Sequence, residues 1–574
     1  MSSPLPFQPE KTIISEDFMP APHFAHWPRQ FPRSLTVPAT SLWANAEIAA
    51  ARFPRKAATL FYGAPLTYRA FVDHALALAG FLQRDCGVGR GDRVLLQMQN
   101  SPQFMLAYYA ILRADAVVVP VSPMNVTDEL EHNFGDSGAR VAIVGGELAE
   151  RLRPLLGRLV DRVVVATYSD YLGSDSSLPV PDLVRAPRVI DADARMVPWH
   201  EVLDADRAPA PHASGPDDLA AILYTSGTTG RPKGCMHPHR TLMCTAVGGA
   251  LWEGMTQDAV VLGTAPLFHV TGMQHSMNAA LYVGATVALL PRWDPATAGA
   301  MIERFHCTHW ANVPTMVVDL LGHPATADRD LSSLRNIFGG GASMPEAVAA
   351  QLQARCGIEY MEAYGMTETI SQTHMNPPQQ LRKQCLGIPT FDTASLVVDP
   401  ETLRPLDPGE IGEIVSSGPQ LMTGYWNNAQ ATSETFVDID GRRFLRTGDL
   451  GRMDADGFFY IADRLKRMIN AAGYKVWPAE LEAALHGHPG ILEVAIVSSP
   501  DARRGETVKA FVVRRDPAAG TPTAEQLTAW CRDHMAAYKV PRQIEFVESL
   551  PRSGTGKIQW RALQEREWAN AAGR

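Results

Sequence analysis

Tyr224-Thr-Ser-Gly-Thr-Thr-Gly-Arg-Pro-Lys-Gly234 follows the apolar run Leu219–Tyr224 and packs three glycines, four Ser and Thr hydroxyls and one lysine into a single loop. An apolar run of that length reads as a strand. Glycines let backbone N–H groups close on an anion without side-chain clash, the hydroxyls add donors and Lys233 adds a cation. The composition is that of a phosphate cradle at a strand end. Its spacing departs from the GxxxxGK[ST] loop of common nucleotide triphosphatases, which argues against a kinase or GTPase. A flexible Gly/Ser/Thr connector is the alternative for such a stretch in isolation. The strand before it and Lys233 within it favour the cradle.

Outward from this loop, strand-length apolar runs at Val94–Leu96, Ala116–Val121, Val141–Val144 and Val163–Ala166 alternate with helical stretches at Tyr68–Leu82 and Gln103–Arg113. That rhythm predicts βαβ units and a largely parallel sheet, hence an α/β core. The Pro- and Asp-rich stretch from Ser174 to Asp218 reads as a long surface connection. Near the C-terminus the pattern restarts: a basic turn at Arg464–Arg467, a helix after Pro478, strands at Glu493–Val497 and Val508–Val513, and a helix from Thr523. A smaller α+β domain is expected there, because 574 residues exceed what one core organises.

A net charge of −9 supplies no basic footprint for a phosphodiester backbone, so nucleic acid is not an expected partner. Seven scattered cysteines without a CxxC pair suit a reducing cytoplasm and argue against a zinc or dithiol site. Met1–Leu35 is rich in Pro and aromatic residues, is interrupted by charges where a signal peptide needs an apolar run, and reads as an extended arm. No Asp, Glu, Lys or Arg lies between Asp258 and Arg292, yet Pro266, His269, Gln274 and Asn278 break the stretch too often for a membrane span. It reads as the wall of an apolar ligand pocket. Contact with a membrane surface and a homodimer are left open.

The loop at 224–234 resembles the signature of the adenylate-forming (AMP-binding) superfamily, in particular the acyl-CoA synthetase and fatty acid–CoA ligase family. Further motifs follow in order: Gly339-Gly-Gly-Ala-Ser-Met-Pro345, Tyr364-Gly-Met-Thr-Glu-Thr369, Gly418 to Tyr425, Thr447-Gly-Asp449, Asp463-Arg-Leu-Lys-Arg-Met-Ile469 and Pro551-Arg-Ser-Gly-Thr-Gly-Lys557. The resemblance runs from about Leu66 to Lys557. It implies ATP and coenzyme A as co-substrates and Mg²⁺ as the metal. It also implies a large, multi-subdomain N-terminal domain of mainly parallel sheets, residues 1–464, and a small mobile α+β C-terminal domain, residues 465–574.

The resemblance also distributes roles. Thr225, Ser226, Gly227, Thr228, Thr229, Gly230 and Lys233 would bind the ATP phosphates, with Gly340, Gly341, Ala342 and Tyr364 around the adenine, where an aromatic ring stacks on a base. Thr367 and Glu368 would hold the α-phosphate and Mg²⁺, a cation that takes one or two carboxylates plus phosphate oxygens. Asp449 would accept from the ribose hydroxyls, assisted by Arg464. Lys557 would stabilise charge in the first half-reaction, Lys466 would sit at the interdomain hinge, and Gly473 and Tyr474 would line the thiol channel. The family often has Gly where this chain has Asp463.

The chemistry so implied has two steps. A carboxylate attacks the α-phosphate and releases pyrophosphate; a thiol then takes the acyl group and releases AMP. The acyl pocket is expected at His269, Thr271, Gly272, Gly339 and Gly365. The Asp that amino-acid-activating relatives use is missing from this stretch, and Gly365 stands where acetate-activating relatives carry tryptophan. A medium- or long-chain fatty acid is therefore the first expectation and an aromatic or other bulky acid the second. An acyl carrier protein as acceptor, or a catalytically silent nucleotide-binding scaffold, are the alternatives.

Overall fold

The computed structural model describes residues 21–173, 177–188, 191–225, 232–340, 344–464, 467, 469–471, 474–476, 478–501, 505–516, 522–536, 538–552 and 558–572. Outward from Leu219–Thr225, parallel pairing runs through Val117–Pro120, Arg93–Gln97, Val141–Gly145, Arg162–Ala166 and Met196–Pro198. On its other side Leu219–Thr225 pairs antiparallel with Lys233–Pro238, which in turn takes on the short strand Gly424–Tyr425. A second large sheet has a parallel centre of Ala57–Phe61, Thr286–Leu289, Val260–Gly263, His309–Asn312, Asn336–Gly339 and Tyr360–Met366. Antiparallel Ser371–Met375 extends it beyond Tyr360–Met366.

Strand periodicity explains why these segments read as unbroken apolar runs. Val94, Leu96, Val118, Ile143 and Val164 face the core shared with the second sheet. Their neighbours Leu95, Val117, Val119, Ala142, Val144 and Val163 face a separate core on the opposite side. Successive residues point to opposite faces, so a strand covered on both must be apolar throughout. The helix Pro102–Arg113 is buried at every position, as suits an element held between layers. Its start is set by Ser101, whose hydroxyl accepts from the Phe104 N–H, with proline next in line.

An antiparallel sheet of Ala394–Val398, Gly412–Ser417, Arg442–Met453, Phe436–Ile439 and Phe459–Arg464 carries the Thr447–Asp449 motif. The C-terminal sheet joins Tyr474–Val476, Ile469–Ala471, Gly505–Arg514, Ile491–Asp501 and Gln543–Phe546. It has apolar clusters of its own on its two faces, around Val494, Ile496 and Val512 and around Ala495, Val497 and Phe511. The chain is thus α/β, with a large N-terminal part of mostly parallel sheets and a smaller C-terminal domain, as expected.

Two expectations are corrected. The stretch read as a surface connection contributes the edge strand Met196–Pro198 and the helix Trp199–Asp204, and its Val184, Trp199 and Val202 are buried in the main core. Apolar residues spaced singly through a polar background do the anchoring, which hid the elements. The N-terminal arm is docked from residue 21 onward: Pro22–His26 is a 3₁₀ turn, and Trp27 packs edge-on against Trp252 and Phe391 at 5.2 and 5.4 Å. The uncharged stretch 259–291 folds into two strands, a π-helical turn whose residues are all buried and the short helix Ala279–Val283. Among the described residues no helix is long and apolar enough to cross a membrane.

Candidate active site

The glycine- and hydroxyl-rich loop joins Thr225 to Lys233, which are paired across an antiparallel hairpin. Ser226, Gly227, Thr228, Thr229 and Gly230 lie outside the described residues, as do Gly341, Ala342, Lys466, Gly473 and Lys557. Lys233 heads the returning strand, and its ammonium sits 4.8 Å from the centre of the Tyr425 ring. Tyr425 is brought there because Gly424–Tyr425 pairs with Met236 and Cys235. The Tyr425 hydroxyl donates to Glu368 Oε1 at 2.8 Å. Burial and the Glu368 charge push that phenol well above its ordinary range, so it stays a donor. A lysine, a phenol and a carboxylate from three separate segments thus converge.

The turn Thr367–Thr369 presents the carboxylate, and its main chain is fixed from two sides. Met422 N–H donates to the Glu368 carbonyl at 2.8 Å, and His237 Nε2 lies 2.8 Å from the Thr367 carbonyl. A carbonyl only accepts, so Nε2 carries the proton. Burial pulls His237 down to about 4, which keeps the ring neutral at ordinary pH. Behind the turn, Ile370 and Ser371 adopt φ of 47° and 111°, conformations that cost a side-chain-bearing residue about 1–3 kcal/mol each.

On the other side, Tyr364 donates to Asp449 Oδ2 at 2.7 Å, and its ring lies 5.6 Å from that of His374. Asp449 is buried and stands opposite Arg464 in the strand pair that ends the antiparallel sheet. Gly339 and Gly340 close the strand end beside Tyr360 and Ala363. A Cβ on Gly339 would lie 2.1 Å from the Asn312 carbonyl oxygen and one on Gly340 2.3 Å from that of Ala363. Only glycine allows main chains to approach so closely.

Of the pocket candidates, Gly272 opens the π-helical turn, where a Cβ would meet the Pro266 carbonyl at 2.4 Å, and the Thr271 N–H approaches His269 Nδ1 at 3.4 Å. Single-turn π segments recur at functional sites. The turn comes to the same place as Gly339 and Gly365: His275 within it packs edge-on to Phe338 at 4.8 Å and reaches Ser371 Oγ at 2.9 Å. Gly365 is exposed, but its Cβ direction is filled by the Ser371 carbonyl oxygen, 1.7 Å away. The glycine is therefore required by the register shift between its strand and Ser371–Met375.

Sequence reading did not find the parts played by His237 and Tyr425, nor the contact of His275 Nδ1 with the Glu253 carboxylate at 2.5 Å. Tyr425 closed a motif without a role attached, and His275 lay inside the uncharged stretch. Glu253 and His237 had no motif to mark them. For the metal, Glu368 with the Thr367 hydroxyl beside it is a hard-oxygen set of the kind Mg²⁺ completes with phosphate oxygens. Among the described residues no three or more His, Cys, Asp or Glu side chains cluster to hold an ion by themselves.

The AMP-binding enzyme family model matches residues 46–426, and that of the AMP-binding enzyme C-terminal domain matches residues 480–557. The long-chain-fatty-acid–CoA ligase of Bacillus subtilis (strain 168) is 36% identical over 560 residues, covering 96% of this chain and 98% of its own. A feruloyl-CoA synthase of Amycolatopsis sp is 35% identical over 509 residues, covering 88% of this chain and 94% of its own. The crystal structure of ATP-bound MatB from Rhodopseudomonas palustris superposes with a TM-score of 0.80 at 28% identity, covering 92% of this chain and 99% of that one.

Proposed function

The chain belongs to the AMP-binding enzyme family, and from that premise we propose that this AMP-forming acyl- or aryl-CoA ligase activates a medium- or long-chain fatty acid and transfers it to free coenzyme A. The observation that carries the reading is the convergence of Lys233, Tyr425 and Glu368 beside the Tyr364–Asp449 pair. Four separated segments bring together one cation, two carboxylates and an aromatic face, the groups that binding a nucleotide triphosphate needs.

In this reading Tyr364 stacks on the adenine and Asp449 accepts from the ribose, with Arg464 on the paired strand assisting. Lys233 and the loop before it bind phosphate oxygens, and Thr367 donates to the α-phosphate. Mg²⁺, held by Glu368 and the phosphates, would neutralise charge on the leaving pyrophosphate. Tyr425 orients the Glu368 carboxylate and His237 fixes the turn that carries it. Lys557 would pair the attacking carboxylate and oppose charge building on the α-phosphate. We place the domain boundary between Arg464 and Leu465, with Lys466 as hinge and Gly473 and Tyr474 beside the entering thiol.

A fatty acid is supported by the identity to the Bacillus subtilis ligase across almost the whole chain and by the uncharged 259–291 stretch, whose π-helical turn is buried at every position. A second reading, an aromatic acid, is favoured by the similarity to feruloyl-CoA synthase. The test is AMP release with MgATP and coenzyme A across acetate, hexanoate to palmitate, benzoate and phenylpropenoates, each with a no-thiol control. Coenzyme A-dependent turnover fastest with long acids supports the proposal. A preference for phenylpropenoates moves it to the second reading, and pyrophosphate release without coenzyme A-dependent AMP points to a carrier protein as acceptor.

A further inference from the structure

His275, on the π-helical turn, lies between Glu253 at the end of the helix His239–Trp252 and Ser371 at the start of Ser371–Met375: Nδ1 is 2.5 Å from Glu253 Oε1 and Nε2 is 2.9 Å from Ser371 Oγ. All three residues are buried, at 2%, 4% and 7% exposure. Gly249 makes room for them, since a Cβ there would lie 3.2 Å from both Glu253 Oε1 and His275 Nδ1 and 3.3 Å from Gln372 Nε2. The Glu253 carbonyl is itself held by Asn336 Nδ2 and His309 Nε2, at 3.1 and 3.2 Å. Carboxylate, imidazole and hydroxyl stand in the order of a nucleophile-activating chain. The near-complete burial of all three gives a water or thioester no approach, so the chain acts on its own backbone instead.

The backbone it acts on is strained. Ser371 holds φ at 111° directly after Ile370 at 47°, and these two residues close the turn that presents Thr367 and Glu368. Such conformations persist only where surrounding contacts over-determine them. Besides its pairing with Met366 across the strand ladder, two side-chain contacts hold Ser371: Thr369 Oγ1 donates to its carbonyl at 2.7 Å, and its hydroxyl faces His275. Burial pushes the Glu253 carboxyl up and the facing His275 opposes that shift; wherever the carboxyl is ionised, Nδ1 donates to it and Nε2 is left to accept the seryl proton. We propose that Glu253 and His275 are positioning residues that act through Ser371 to hold this corner, and with it the Thr367–Glu368 turn, in the geometry that adenylation requires.

This inference rests on Thr367 and Glu368 serving ATP as described above. Ser371→Gly separates a positioning role from a merely structural one, because glycine accepts φ of 111° without strain while losing the hydroxyl. The expected result is an unfolding midpoint equal to or above that of the unmodified protein, with acid-dependent ATP–pyrophosphate exchange slowed at least about tenfold at saturating MgATP, one hydrogen bond's contribution to the barrier. The loss should fall on kcat, with KM for the acid little changed. Glu253→Gln, which keeps an acceptor for Nδ1, should lose less exchange than Glu253→Ala. An unchanged exchange rate in Ser371→Gly, or a loss confined to KM for the acid, overturns the relay. If the unmodified protein exchanges with no acid, the ligase reading fails. Amide hydrogen exchange of residues 366–372 then decides the relay alone: faster exchange in His275→Ala supports it and unchanged protection overturns it.

Discussion

Tyr364 and Asp449, 85 residues apart in the chain, are joined by a hydrogen bond of 2.7 Å from the phenol to the carboxylate. It ties the end of the large second sheet to the antiparallel sheet, and so the adenine side of the proposed nucleotide site to the ribose side. Tyr364→Phe and Asp449→Asn should each raise KM for ATP about five- to tenfold, and the double variant should fall short of the product. A coupling of about 1–2 kcal/mol is expected from the double-mutant cycle, since the pair is in direct contact and one partner is charged. Strictly additive effects would separate the two roles.

Gly365→Ala should be more damaging than a methyl group ordinarily is. Its Cβ would stand 1.7 Å from the Ser371 carbonyl oxygen, so the strand Ser371–Met375 must move to admit it. A loss of about 1–3 kcal/mol in denaturant unfolding is expected, accompanied by slower adenylation because the shifted strand begins at the strained corner. An alanine variant with unchanged midpoint and activity would show that the corner yields freely.

Asp463, where relatives of this kind often carry glycine, has a structural task. Its Oδ2 accepts from the Ala479 N–H at 2.6 Å in the first turn of the helix Pro478–His486, and Arg467 lies 3.9 Å from its other oxygen. It pins the last strand of the large part to the first helix of the small domain. Asp463→Gly should therefore release about 0.5–2 kcal/mol of this hold, the range of a helix-capping carboxylate. Measured separately, pyrophosphate exchange and thioester formation should change in different proportion; equal changes would mean that the contact does not influence domain orientation.

Lys557→Ala should lower adenylation by about 10²–10³-fold, the usual loss of a preorganised charge donor, while ATP affinity stays nearly constant. Equilibrium binding of ATP beside single-turnover adenylation distinguishes this from a lysine needed only for binding, whose removal weakens both.

Acid should destabilise the protein well above the carboxylate range. Burial pulls His237 and His309 from 6.5 to about 4 and His374 to about 3. Between these values and 6.5 the unfolded chain binds protons that the folded one refuses, so stability rises with pH across that window. It is fully present above about 6.5, declines as pH falls towards 4, and levels once the folded histidines also protonate. Each contributes a slope of at most about 1.4 kcal/mol per pH unit. Unfolding midpoints from pH 7.5 to 4.5 should fall accordingly, and His374→Phe should shallow the curve; a flat profile would place these rings in contact with water.

The α/β architecture was legible in the chain, and the residues proposed for the nucleotide could be named from it, because each depends on local chemistry. A strand covered on both faces must be apolar at successive positions, as Val117–Pro120 is, and a loop that meets phosphate must combine glycine with donors. Met196–Pro198 was illegible for the opposite reason: three residues added to a sheet edge need no pattern of their own.

The patterned strands and helices, and the side chains chemically suited to a triphosphate, can be read from the chain alone, since propensity, periodicity and side-chain type are properties of neighbouring residues. Only the tertiary structure decided that Tyr425 serves Glu368, that His237 holds the turn beneath it, and that Glu253 and His275 stand behind Ser371. Those partners come from segments separated by 22 to 130 positions. Their meeting depends on sheet order and strand register, which packing of the whole chain sets and no local pattern records.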